Sequence, residues 1–157
     1  MRRTVLAVGV ALTLALGAGA ASAQVTPTDQ INQLRADIQA DRQAVVAAAL
    51  GLTDQQGQAF WPLYREYRNA LAPVGDRMVK LITGYAENWE AVPDAQASAM
   101  LDELLSIQKQ ELKVKEQFVK KFRKVVPGKT VARFFQIENK LDAIVRLDLM
   151  SYIPLMP

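Results

Sequence analysis

Two pairs of residues sit at a spacing that could do acid–base chemistry: Glu111 with Lys115, and Glu138 with Asp142. Residues four apart share one face of a helix, and in both cases that face also carries apolar residues. Carboxylates held in an apolar setting are what a general acid and base would use, or a hard cation such as Ca2+ or Mg2+. The companions of such a site are missing. The chain contains no histidine and no cysteine, which removes the usual zinc and copper ligands, the common proton shuttle and a thiol nucleophile. No glycine-rich loop of the dinucleotide or phosphate-binding kind occurs. The bland reading is therefore preferred. A buried carboxylate is costly unless paired, so Glu111, Lys115, Glu138 and Asp142 are expected in internal salt bridges, with Arg65, Arg68 or Arg133 as partners. No enzymatic activity, cofactor or metal is expected.

The elements that must position these groups are helices. Thr26 or Thr28 can cap a first helix with Ile31, Leu34, Ile38, Val45 and Ala49 on one stripe, ending at Gly51. Thr53 can cap a second, and Gln56 can reach back to the Thr53 backbone, the reciprocal arrangement of a capping box. The seam that follows alternates steps of four and three: Phe60, Tyr64, Tyr67, Leu71, Val74, Met78, Leu81, Tyr85 and, nearly, Trp89. Pro62 and Pro73 lie inside it. The seam keeps its phase across Pro73, so one long bent helix is expected. Pro93 and Asp94 open a third helix carrying Leu101, Leu104, Leu105, Leu112, Phe118, Val119, Phe122 and Val126. Pro127 and Gly128 end it. A fourth runs from about Lys129 to Tyr152, with Val131, Phe134, Phe135, Leu141, Ile144, Val145, Leu149 and Tyr152 inward. The fold class is all-α: four helices with short connections, as a bundle or an open pair of helical hairpins.

The beginning of the chain reads as an export signal. Met1-Arg2-Arg3 is a short positive start, residues 5–16 are apolar and uncharged, and Ala21-Ser22-Ala23 has small residues where signal peptidase cuts. The apolar stretch is shorter than the roughly 20 residues a spanning helix needs. Residues 1–23 are thus expected to be a signal peptide cleaved near Ala23/Gln24. Residues 24–157 would form a single all-helical domain in the periplasm. Sec and twin-arginine export are both left open. Without Arg2 and Arg3, 17 basic residues face 16 acidic ones, a net of +1, which does not suit a general nucleic-acid binder. No disulfide is available, so packing must stabilise the fold.

The stretch Leu52-Thr53-Asp54-Gln55-Gln56 resembles the LTxxQ motif of the periplasmic family that includes Spy and CpxP. Phe60-Trp61-Pro62-Leu63-Tyr64-Arg65-Glu66-Tyr67 is similar to a divergent branch of that family, as is the stretch from Val131 to Asp142. A second LTxxQ copy would fall at Val92-Pro93-Asp94-Ala95-Gln96, where Gln96 is kept and the Leu and Thr are replaced. The resemblance implies a curved helical homodimer, a link to envelope stress, and chaperone-like binding of unfolded proteins. The residues themselves offer two surfaces for such contact. Lys109, Lys113, Lys120 and Lys124 share one helical face, within a stretch from Lys109 to Arg133 that holds nine basic and two acidic residues. They are a solvated face or an electrostatic patch for acidic segments or anionic headgroups; contact with a membrane surface is not required. Trp61 lies off the core seam and is expected at the surface, either for client contact or in a dimer interface. The function expected is ATP-independent binding of unfolded or stressed envelope proteins through an apolar and basic helical surface. The alternative is an adaptor or sensor that binds one defined envelope signalling partner.

Overall fold

The computed structural model describes residues 27–151 and 153–157; in the first helix up to residue 40, only the side chains of Gln33 and Asp37 are described. The expected signal peptide and cleavage site, Thr26, the side chains of Thr28, Ile31, Leu34 and Ile38, and Tyr152 lie outside the described residues. Four helices follow in order: α1 (Pro27–Leu50), α2 (Asp54–Ala86), α3 (Asp94–Phe122) and α4 (Gly128–Ser151), with a 3-10 turn at Trp89–Ala91. No strand occurs among the described residues. The fold is all-α. None of the described helices is long and apolar enough to cross a membrane.

Local chemistry explains where the helices stop and start. Gly51 takes a φ of +58°, a left-handed conformation that costs glycine little and closes α1. Two residues later Thr53 caps α2. Its hydroxyl accepts from the Gln56 amide at 3.3 Å, and its own amide donates to the Gln56 side chain at 3.1 Å. Both halves of the capping box are thus made. The start of α3 differs, because Pro93 at the N-cap offers no side-chain hydrogen bond.

The second helix runs unbroken through Pro62 and Pro73. Each proline removes one backbone donor, at a cost of about 3 kcal/mol in a helix interior. Both sit on the exposed side, where solvent reaches the freed carbonyls. On the opposite side Phe60, Tyr64, Tyr67, Val74 and Tyr85 are buried, and that burial holds the helix together across the breaks.

α2 packs along α3, and α1 along α4, with fewer contacts between α1 and α2. The core gathers at the end where α1 turns into α2 and α3 turns into α4. Val46 and Leu50 meet Phe60, Tyr64, Tyr67, Phe118, Phe122, Val126, Val131 and Phe134 there. The rings touch mostly edge-on or tilted, with Phe122 and Phe134 at 4.8 Å, Phe60 and Phe122 at 5.0 Å, and Phe60 and Phe134 at 5.2 Å between centroids. Such geometry adds to their apolar burial.

Three inward faces differ from expectation. In α1 the buried line is Arg42, Val46 and Leu50, while Val45 is exposed. A charged residue occupies the inward register, so the apolar residues alone misplace the stripe. In α3 the buried residues are Ile107, Val114, Phe118 and Phe122; Leu101, Leu105 and Leu112 are exposed. These leucines form a second line about 120° around the helix at 100° per residue. In α4 Ile144 is exposed as well, and Glu138 holds the central inward place. The third helix also ends at Phe122 rather than continuing to Val126. The turn of residues 123–126 folds back, with the Val126 amide donating to the Phe122 carbonyl at 3.0 Å.

Candidate functional site

Beneath the aromatic core runs a chain of charges that ties all four helices together. Arg42 of α1 donates Nη1 to Glu138 Oε2 at 3.0 Å and Nη2 to Asp142 Oδ1 at 2.9 Å. Arg68 of α2 donates to the same Glu138 oxygen at 3.2 Å. Lys115 of α3 meets Asp142 Oδ2 at 3.0 Å and Glu111 Oε1 at 2.7 Å. Arg146 of α4 closes the chain on Glu111 Oε2 at 2.7 Å. Glu138 is fully buried and Arg42 is 4% exposed. The spacing of four that places Glu138 beside Asp142, and Glu111 beside Lys115, lets one cation reach two carboxylates and one carboxylate reach two cations.

Burial and pairing act against each other here. Burial pushes the Glu138 carboxyl above the usual range, outweighing the nearby Arg42 and Arg68 charges. Burial also pushes Asp142 up, but Lys115 and Arg42 overcome it and hold that carboxyl below the usual range. Burial opposes the charges of Arg42 and Lys115. For Arg42 the Glu138 and Asp142 charges prevail, and for Lys115 the bond to Glu111 and the Asp142 charge; both cations are held more tightly protonated than usual. Burial pushes the Tyr64 hydroxyl up to about 12, and the Tyr67 hydroxyl up as well. Among the described residues, three buried polar atoms meet no protein partner: Arg42 Nε, Glu138 Oε1 and the Tyr67 hydroxyl.

The arrangement pairs its own charges. Glu138 and Asp142 already carry two protein cations each. Among the described residues no group of three or more acidic side chains stands where it could hold a metal ion. The network is an electrostatic clamp that sets helix register.

Of the arginines expected as partners, Arg68 joins the network. Arg65 does not. It is exposed on the outer side of α2, because a step of 100° from Tyr64 turns it away, whereas Arg68, four residues on, stays on the flank of the buried seam. Arg133 is exposed too. Arg42 takes the place expected of them. No apolar pattern marks it; the only sequence signal is its spacing of four from Val46 and eight from Leu50.

Trp61 is half-buried. Its ring lies edge-on against Phe60 at 5.1 Å and Tyr64 at 5.5 Å, and it lines an open depression with Leu52, Thr53, Gly57, Pro62 and Arg65. Leu52 and Gln56 of the capping stretch are half-buried, and Leu52 packs on the core. The Trp61 indole therefore forms a rim of the core, with one edge turned to the depression.

Lys109, Lys113 and Lys120 are exposed along α3; Lys124 is exposed in the turn beyond its end. Lys121 sits 4.4 Å over the Phe118 ring and 3.3 Å from Glu66. The basic residues thicken towards the α3–α4 turn, where Lys120 to Arg133 includes six basic residues and no acidic one. Alongside lies the unpartnered apolar line of Leu101, Leu105 and Leu112, each more than half exposed, and on α4 Ile144, Leu147 and Met150 are exposed as well. The periodicity of α3 contained this second line, but period alone does not tell which of two lines meets a neighbour.

No family model matches the chain, and neither the curated proteins nor the solved structures contain a match.

Proposed function

We propose that this chain is an exported, ATP-independent binder of unfolded or stressed envelope proteins, a divergent relative of the LTxxQ periplasmic proteins. The observation that carries the reading is the exposed apolar line of α3, Leu101, Leu105 and Leu112, flanked by Lys109 and Lys113. Apolar side chains left in solvent are worth about 1.5–3 kcal/mol each when covered. Three of them bind a partner weakly and reversibly, which suits broad capture. The neighbouring lysines steer acidic segments into contact. The realised capping box at Thr53 and Gln56 agrees with a structural role for the LTxxQ stretch.

A homodimer would use the same line. Leu101, Leu105, Gln108 and Leu112 step by four, three and four, the spacing of a coiled-coil seam. Run antiparallel, two copies would bring Asp102 of each near Lys109 of the other.

The test is light scattering of a chemically unfolded protein diluted into buffer with the chain and without ATP. Suppression at near-stoichiometric ratio is expected. It should weaken when Leu101, Leu105 and Leu112 are changed to serine, and again when Lys113 and Lys120 are changed to alanine. No suppression across several unrelated clients overturns broad capture and leaves the single-partner adaptor, which predicts one saturable complex.

A further inference from the structure

The α3–α4 end of the bundle carries positive charge that the fold does not use. Lys120, Lys121, Arg123, Lys124, Lys129 and Arg133 stand in the last turn of α3, in the connection and at the start of α4. All six are exposed, and no acidic residue interrupts them. Lys121 pairs with Glu66; among the described residues the other five make no ion pair. Lys120 and Lys121 suit the carboxyl end of α3. Lys129 does not suit its place: it lies in the first turn of α4, where the helix dipole favours an acidic side chain and none is present. α2 brings Asp54, Arg65 and Glu66 to this end, with Glu66 taken up by Lys121, so the balance stays positive. From this we infer that the α3–α4 end is a docking surface for an anionic lipid membrane, on which the bundle stands end-on.

The spread of the charge selects the occupant. The six side chains surround a helix end, a turn and a helix start, and none of them lines the depression beside Trp61 or the one bordered by Trp89. Neither depression could seat an acidic segment against them. A flat array of headgroups meets several at once and needs no matching shape. The charge also reverses along the molecule. Between Lys80 and Lys109 there are five acidic residues and no basic one, and α3, with 29 residues, separates the two ends by about 44 Å. From Gln24 onward the net charge is only +1, so attraction comes from the arrangement of charge rather than from its sum. An anionic surface attracts one end of such a rod and repels the other. Leu101 and Leu105, near the acidic end of α3, are then held away from the membrane. The proposal rests on export to the envelope and not on client capture, because vesicle binding and suppression of light scattering are separate readouts.

The experiment uses residues 24–157, which hold all four helices and lack the apolar leader that would itself enter a bilayer. Co-sedimentation is measured with vesicles of two parts phosphatidylcholine to one part phosphatidylglycerol, at physiological ionic strength, and with vesicles of phosphatidylcholine alone. Binding to the mixed vesicles only is expected, and it should vanish at about 1 M salt, where the screening length is roughly 3 Å. Arg123→Gln, Lys124→Gln and Lys129→Gln together should weaken it by about a hundredfold, at roughly fivefold per basic residue near the surface. Lys80→Gln, Lys109→Gln and Lys140→Gln together remove the same charge. Lys109 and Lys140 lie about 20 Å and 18 Å from the helix ends, beyond the screening length of about 8 Å, so this variant should bind within about threefold of the unaltered chain. Dansyl-labelled headgroups should take more energy from Trp61 in a Trp89→Phe chain than from Trp89 in a Trp61→Phe chain. Circular dichroism checks that helicity is retained, and the salt and lipid comparisons on the unaltered chain keep the test decisive if a variant unfolds. No binding to the mixed vesicles, equal binding to phosphatidylcholine alone, equal loss in the two triple variants or equal transfer from the two tryptophans would each overturn the proposal. Binding to soluble poly-glutamate with none to the vesicles would also overturn it, and would assign this end to an acidic protein.

Discussion

The two ends of this bundle solve opposite problems with the same four helices. At the end where α1 meets α2 and α3 meets α4, eight aromatic rings interlock around Val46, Leu50 and Val131. The solvent side there is basic. At the other end, the α2–α3 turn is acidic, α3 starts without a side-chain cap, and large apolar side chains on α3, α4 and the following segment remain in water. The charge clamp lies between the two. Stability is concentrated at the first end and uncovered apolar surface at the second. Leucines stand exposed towards one end while rings pack tightly at the other, and an uncovered apolar line is the kind of surface on which the proposed binding would act.

The sharpest way to break this contrast is to cut the clamp. Arg42→Ala leaves Glu138 and Asp142 facing burial with only Arg68 and Lys115 to answer them. Removing one partner of a buried pair costs about 3–5 kcal/mol. The urea midpoint should fall accordingly, while Arg77→Ala, which removes an exposed pair with Glu103, should barely move it. Equal small effects would mean that the clamp contributes no more than the surface. Replacing Arg42, Glu138 and Asp142 together by apolar residues of similar volume should restore much of the loss, because the desolvation cost disappears with the charges.

Acid sharpens the same point. Glu138 is held above its ordinary value of 4.5, first by burial. The folded chain therefore keeps a proton that the unfolded chain has released, and the stability from this group, full below the ordinary value, is lost as pH rises through the folded pKa. Asp142 is held below its ordinary value of 3.8, burial being outweighed by Lys115 and Arg42. Its contribution is full above that value and is lost as pH falls through the folded pKa. Urea midpoints measured from pH 3 to 6 should show the two slopes separately. In Glu138→Gln stability should rise more steeply with pH above 4.5 than in the unaltered chain, and in Asp142→Asn the acid loss below 3.8 should flatten. Parallel curves for all three proteins would remove both carboxylates from the account.

Much of the fold was legible because helices announce themselves locally. Gly51 and the Thr53–Gln56 pair mark boundaries through backbone chemistry that needs no distant neighbour, whereas Pro127-Gly128 marks the start of α4 and not the end of α3, which stops at Phe122. The phase of the α2 seam across Pro73 predicts the long helix for the same reason. Glu138 and Asp142 were legible as internal ion-pair members because charge interrupts an apolar face at helical spacing. Arg42 was not: its partners lie 96 and 100 residues away in sequence, and a charge in an apolar line reads as a break in the line. The exposure of Leu101, Leu105 and Leu112 was hidden for a related reason. Two apolar lines on one helix are equivalent until a neighbour covers one. The bond from Tyr85 to Pro154 spans 69 residues and leaves no periodic trace.

The smallest expected effect compares the two helix starts directly. α2 begins at the compact end with both halves of a capping box, and α3 begins at the open end on Pro93 with neither. Thr53→Ala removes the hydroxyl that accepts from the Gln56 amide and makes the first start resemble the second. The loss should be about 1 kcal/mol, because Gln56 can still reach the backbone of residue 53 and solvent can serve the freed amide at this exposed position. Hydrogen exchange at the amides of Gln55 and Gln56 should quicken in step, while the amides of the first turn of α3 stay unchanged. A much larger loss would mean that the LTxxQ stretch supports the core through Leu52 as well as the helix through Thr53. No loss would mean that α2 is held by its buried seam alone, leaving the cap without a role in stability and the motif open to contact with a partner.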